Sequence, residues 1–281
     1  MEDQSKQRPL VLVANDDGVE AQGLRILTAE LRARFEVLVV APDRERSAVS
    51  HWVTMAGSWR VQRLAPDTFS VDGTPADCVY LGVCQLAART PSLVVSGVNN
   101  GYNLGTDVIY SGTVAAAAEA AVLGIPSVAI SAEAGSRTPT FEQAARFATA
   151  LAGWIIDQRW APPWTFLNVN VPADTDGDRF GVGAMGTRRY QRAERQDLSL
   201  RNELEERVIS LYRPFAAGTH GAQGEDSDIL RQKMIAVSPL RLDWTAIDQL
   251  DLAQRMSLDG FESDSAGSAA GEGQGRRDGS D

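Results

Sequence analysis

The stretch Val11-Leu12-Val13-Ala14-Asn15-Asp16-Asp17-Gly18 decides how the rest of the chain is read. Its apolar half reads as a strand buried on both faces, the pattern of a central strand in a parallel sheet. The run then stops at an amide, two carboxylates and a glycine. Neighbouring residues on a strand point to opposite faces, so Asp16 and Asp17 can serve one object only if the strand has already ended. Gly18 permits the turn that this ending needs. Two carboxylates side by side repel unless a cation or a shared proton lies between them. Ligands bind at the carboxyl ends of strands in open α/β sheets, and a hard divalent cation suits that place. The plainer reading is a polar turn in which an Asp caps the next helix.

Working outward, apolar residues at Leu24, Ile26, Leu27, Leu31 and Phe35 predict a helix over Gln22 to Phe35, and Glu36 to Ala41 predicts a second buried strand closed by Pro42. Strand, helix and strand make a right-handed βαβ unit. Its second strand runs into Asp43-Arg44-Glu45-Arg46-Ser47, a polar loop on the same sheet edge as Asp16 and Asp17. Alternating pieces between Trp52 and Val71 predict an antiparallel excursion. Thr74-Pro75-Ala76-Asp77 is a helix start, with a threonine cap and a proline at the first position. The following helix is expected to pass through Leu86.

Ser92 to Ser96 is a third core strand, leading into a loop from Gly97 to Gly105 rich in Gly and Asn. Ser111-Gly112-Thr113 opens an Ala-rich helix ended by Gly124, and its free N–H groups form a site that can donate to an anion. Further strands are expected at Ser127–Ser131, Phe166–Val171 and Lys233–Pro239, and helices at Phe141–Gln158 and Asp243–Met256. The fold class is therefore α/β, a doubly wound, mostly parallel, Rossmann-like sheet. The chain divides into an N-terminal extension (1–9), an α/β domain (10–256) with loops and a hairpin arm at 173–232, and an acidic tail (257–281). The tail is too poor in apolar residues to offset its ordering entropy, so disorder is expected there.

A formal net charge of −10 argues against broad binding to nucleic acid or an anionic membrane. No apolar run reaches the roughly 20 residues of a membrane span. Residues 1–9 lack the apolar core of a signal peptide, and Cys78 and Cys84 match no zinc spacing and read as buried thiols. A cytoplasmic protein is expected.

Three strand ends thus carry oxygen donors: Asp16 with Asp17, Ser47, and Asn99 with Asn103. An all-oxygen set of this kind suits Mg²⁺ or Mn²⁺, and beside a helix start it points to metal-assisted hydrolysis of a phosphate ester. Each residue has an ordinary alternative: Ser47 and Ser111 as caps, Asn99 and Asn103 as turn residues, His51 as structural, Glu119 as solvated, and Trp154, Trp160 and Trp164 as packing.

Asn15-Asp16-Asp17-Gly18, Ala41-Pro42-Asp43-Arg44 through Ser47, Gly73 through Cys78, Ser96-Gly97-Val98-Asn99 through Gly105, and Ile109 through Thr113 closely resemble the SurE family. The resemblance runs from about residue 10 to 132 and continues more weakly through Asn168–Pro172 and Ile235–Leu240. It implies a divalent-metal-dependent nucleotidase acting on nucleoside 5′- and 3′-monophosphates, with one Mg²⁺ or Mn²⁺ per subunit. It implies Asp16, Asp17, Ser47 and Asn99 as metal ligands, with Asp16 and Asp17 also catalytic. Asn103, Ser111, Gly112 and Thr113, with Asn15 beside them, are implied at the substrate phosphate. A homodimer or homotetramer through the C-terminal arm is implied too. Ala48 departs from the family, where glycine is usual after the metal-binding serine.

Three other readings differ in class. An aspartyl-phosphate phosphatase would need a later lysine, and only Lys6 and Lys233 exist. A dinucleotide-binding module would need a G-x-G-x-x-G turn after the first strand, which is missing. A non-catalytic metal- or nucleotide-binding regulator is the remaining alternative.

Overall fold

The computed structural model describes residues 7–135, 137–175, 179–188, 195–197, 209–211, 222–245 and 247. The chain divides into a unit spanning Met1–Leu242 and a second unit, Asp243–Asp281. In the second, residues 243–245 are not helical, and the rest of the expected helix Asp243–Met256 lies almost wholly outside the described residues, as does the whole tail 257–281.

The first unit is organised by β1 (Leu10–Ala14), β2 (Glu36–Pro42), β3 (Val61–Ala65), β4 (Thr68–Val71), β5 (Leu93–Asn100), β6 (Ser127–Ala132), β7 (Thr165–Val171), β8 (Phe180–Val182) and, after two short strands treated below, β11 (Ile235–Arg241). They form a 9-stranded sheet in the order β3-β4-β2-β1-β5-β6-β7-β11-β8. From β4 to β7 every pairing is parallel, while β3 on β4 and β11 on β7 are antiparallel. The strands alternate as a doubly covered sheet requires. Val11 and Val13 pack with Leu24, Leu27 and Phe141 on one face, and Leu10, Leu12 and Ala14 pack with Cys78, Val79 and Ala116 on the other. The first face is covered by α1 (Gln22–Arg32) and α4 (Thr138–Gln158), the second by α2 (Pro75–Leu81) and α3 (Gly112–Val122).

Chain order leaves β1 for β2 on one side and returns to β5 on the other, so the sheet's switch point lies between β1 and β5. That places the turn after β1, the loop after β2 and the end of β5 on one rim.

The start of α2 holds the β2 loop to this rim. Thr74 and Asp77 form a capping box, and the Asp77 carboxylate also accepts from the Thr54 N–H at 2.9 Å and the Thr54 hydroxyl at 2.8 Å. Burial pushes the Asp77 carboxyl up, but the Thr54 and Thr74 N–H groups and the Thr54 hydroxyl outweigh it and hold it below the usual range. Its contribution is therefore complete above the unfolded carboxylate range and is lost as pH falls through the lower folded value. Asp77→Ala is expected to cost about 2–4 kcal/mol at neutral pH, by loss of a cap and of hydrogen bonds to a charge. Urea unfolding at pH 7 and in acid checks it: the gap from wild type should narrow in acid, and an equal gap at both would contradict the charge argument.

Elsewhere the structure departs from the sequence reading. β5 continues to Asn100 where a loop from Gly97 was expected, because a register shift against β6 between Ser96 and Asn99 lets the strand persist while re-aiming Asn99. α2 gives way to a π turn over Gly82–Leu86, with the Ala87 N–H bonding to the Gly82 carbonyl. The 173–232 region contributes β8 to the main sheet and α5 (Asp226–Arg231), besides a two-stranded antiparallel pair, β9 (Arg195–Asp197) with β10 (Ile209–Leu211). Residues 176–178, 189–194, 198–208 and 212–221 of this region lie outside the described residues. Cys84 is exposed, unlike buried Cys78, and Trp154 and Trp164 are half-exposed or more. No helix among the described residues is long and apolar enough to cross a membrane.

Candidate active site

Gly18, at φ 97°, turns the chain sharply after β1, and the Val19 N–H bonds to the Pro42 carbonyl at 2.9 Å. Asn15 braces the turn from within, its side-chain amide donating to the Gly18 carbonyl at 2.9 Å. The Arg46 N–H donates to the Asp16 carbonyl at 2.7 Å, which brings the Ser47 loop against this turn. That loop is anchored again where Ser50 bonds through its N–H to the Tyr110 carbonyl and through its hydroxyl to the Ile109 carbonyl.

The result is a cleft of about 600 Å³ at the carboxyl rim, lined by Asp16, Asp17, Ser47, Asn99, Asn103 and Ser111 among others. Residues from three strand ends and one helix start therefore converge. The Asp17 carboxylate accepts the Asn100 N–H at 3.2 Å, and the Asn99 amide N–H₂ donates to the Gly101 carbonyl at 2.7 Å, which leaves the Asn99 carbonyl oxygen as its acceptor. The Ser47 hydroxyl donates to Glu45 at 2.8 Å and keeps its lone pairs. Asn103 is fixed from several sides: its N–H bonds to Asn170, its side chain to Ser131, and its carbonyl accepts from Asn168 and Asn170.

Asn15, Gly112 and Thr113 do not line the cleft; they stand behind it. Asn15 is fully buried. The Thr113 hydroxyl donates to the Asp16 carboxylate, and Gly112 lies against the same side chain. The mouth of α3 thus receives the Asp16 carboxylate, itself an anion at a helix N-terminus. Ser111 faces the cleft and also caps α3, accepting the Val114 N–H at 3.1 Å. Its ordinary and its functional readings are both met.

Burial pushes the Asp16 carboxyl up to about 6; the Thr113 hydroxyl opposes this and the Asp17 charge adds to it. Asp17 is raised as well, by burial first, against the Asn100 N–H, with Glu45 adding repulsion. Both carboxylates would be relieved by a positive charge in the cleft. Among the described residues no trio of His, Cys, Asp and Glu gathers as a metal centre. A cation here would need the mixed set Asp16, Asp17, Ser47 and Asn99, whose chemistry fits a hard divalent ion.

Glu45, Asp107, Tyr110 and Phe141 also line the cleft and were not singled out by the sequence. His51 and Glu119, read separately as structural and solvated, form a pair at 2.9 Å that ties the Ser47 loop to α3. The signal was available: Glu119 is the one charged residue on an otherwise apolar helix.

An α/β protein with an oxygen-lined cleft at the switch point of a parallel sheet is the class that fold and site define. The family model "Survival protein SurE" matches residues 11–192. A Geobacter sulfurreducens protein named 5′-nucleotidase SurE is 42% identical over 248 residues, covering 88% of this chain and 94% of its own. Thermus thermophilus 5′-nucleotidase SurE 1 is 41% identical over 247 residues, covering 84% and 93%. The crystal structure of the SurE protein from Aquifex aeolicus superposes with a TM-score of 0.73 at 33% identity, covering 88% of this chain and 99% of that one. The chain belongs to the SurE family.

Proposed function

We propose that this protein is a divalent-metal-dependent phosphomonoesterase that hydrolyses nucleoside 5′- and 3′-monophosphates to nucleoside and phosphate. The observation that carries the reading is the convergence of Asp16, Asp17, Ser47, Asn99, Asn103 and Ser111 on one cleft. The nucleotidase names of relatives that align along most of their length support the substrate class.

Asp16, Asp17, Ser47 and Asn99 would hold one Mg²⁺ or Mn²⁺, which supplies charge neutralisation at the phosphoryl oxygens and a more acidic water. Asn103 and Ser111 orient the phosphate for in-line attack by water. Either Asp16 or Asp17 takes the water's proton. Gly112 and Thr113 act through Asp16, whose position they fix, and Asn15 acts through the turn it braces. A cytoplasmic homodimer or homotetramer assembled through the 173–232 region completes the reading.

The test is phosphate release from a panel of nucleoside 5′- and 3′-monophosphates with Mg²⁺, with Mn²⁺ and with chelator. Turnover that chelator abolishes is expected. Metal-dependent nucleotide binding without phosphate release would instead mark a non-catalytic regulator.

A further inference from the structure

The cleft has a charge problem. Asp16, Asp17, Glu45 and Asp107 line it, and no Lys, Arg or His is among its described lining residues. One divalent ion would cancel two of these charges, yet the ligand proposed above is itself a dianion at neutral pH. Repulsion between unit charges several ångströms apart costs on the order of 1 kcal/mol or more where water is partly excluded.

Asp107 lies in the 3₁₀ turn Gly105–Ile109, shortly before Ser111. Its carboxylate is paired with the Arg188 guanidinium, and the two side chains are only 13% and 19% exposed. Arg188 is brought there by a built wall. Asp226, 1% exposed, accepts the Gly105 N–H at 2.8 Å and the Gly186 N–H at 3.2 Å, clamping the two segments together. The Thr106 hydroxyl adds a bond to the Arg188 carbonyl at 3.0 Å. A segment far away in sequence thus delivers one cation to Asp107, behind the lining of the cleft.

We propose that Arg188 sets the affinity of the cleft for a phosphate dianion by cancelling the charge of Asp107. The inference rests on the phosphomonoesterase reading for its substrate, a nucleoside monophosphate. Its ligand chemistry is that of phosphate alone.

The experiment titrates inorganic phosphate into the full-length Mn²⁺-loaded protein by calorimetry, with KM for adenosine 5′-monophosphate in parallel. Arg188→Gln is expected to weaken phosphate binding on the order of tenfold. Asp107→Asn, which removes the carboxylate that pairs with the guanidinium among the described residues, is expected to tighten it beyond wild type. The double variant should return to within about threefold of wild type, as coupled neighbours do. The proposal is overturned if both single variants weaken binding and the double is no better, since the pair would then be only a strap, or if Arg188→Gln changes nothing. Should Arg188→Gln fail to fold, Asp107→Asn decides alone: tightening supports the proposal, and weakening or no change overturns it. If the variants show this pattern with phosphate but the wild-type protein releases none from nucleotides, the enzyme reading is refuted and the charge role stands.

Discussion

Asp16→Asn is expected to lower metal-dependent phosphate release by at least about a thousandfold while the protein stays folded. Asparagine keeps the shape and can still accept from the Thr113 hydroxyl that holds Asp16 now. What it removes is charge, in a side chain only 4% exposed. The sign of the stability change follows from the raised carboxyl, at about 6 against an ordinary 3.8. Between those values the native state binds more protons than the unfolded chain, so this group's contribution declines as pH rises, and above the upper value the penalty is complete. Metal-free Asp16→Asn is therefore expected to be more stable than metal-free wild type at pH 7, by roughly 1–3 kcal/mol. Added Mn²⁺ should raise the melting temperature of wild type and leave the variant nearly unmoved, because only an ion that binds the native state shifts the midpoint. Retained activity, or an equal Mn²⁺ shift in both proteins, would remove Asp16 from the ligand set.

Most of what positions this site could be read from the chain because it is written locally. The apolar run of β1, its abrupt end at Asn15-Asp16-Asp17-Gly18, and the Thr74-Pro75-Ala76-Asp77 cap are short-range signals. Each is where it was expected, and the structure adds the Asp77 side chain that closes the cap into a box. Even the two faces of β1 are visible in its alternation once both are known to be covered. What escaped is set by long-range contact. No local pattern says that the Thr113 hydroxyl turns back to Asp16, 97 residues earlier, instead of out to a ligand. Nor does any say that Asp226 clamps Gly105 to the segment bearing Arg188. The extension of β5 through Asn100 was hidden for a related reason. Gly97 and the two asparagines have the composition of a turn, and only the pairing with β6 on one side keeps them in the sheet.

Gly112 offers the sharpest test of how rigidly the site is held, because helix propensity and packing predict opposite outcomes. It is the first residue of α3, where alanine would ordinarily favour the helix by up to about 1 kcal/mol. An added Cβ, however, would stand 2.8 Å from the Asp16 Cβ, 3.1 Å from its Oδ2 and 3.1 Å from the Pro75 Cγ. None of these atoms is the loose end of a flexible chain. Asp16 is fixed through its carbonyl by the Arg46 N–H and through its carboxylate by Thr113, and Pro75 opens α2 beneath the Asp77 clamp. Packing therefore wins: Gly112→Ala is expected to lose about 1–3 kcal/mol of stability instead of gaining any. The displaced carboxylate should also reduce kcat/KM about a hundredfold, as misplacement by a fraction of an ångström to an ångström does elsewhere. Thermal unfolding and steady-state kinetics on the same preparation decide it. A variant as stable as wild type and fully active would mean that Asp16 moves at no cost, and a carboxylate that free could not be the fixed point on which the cleft is built.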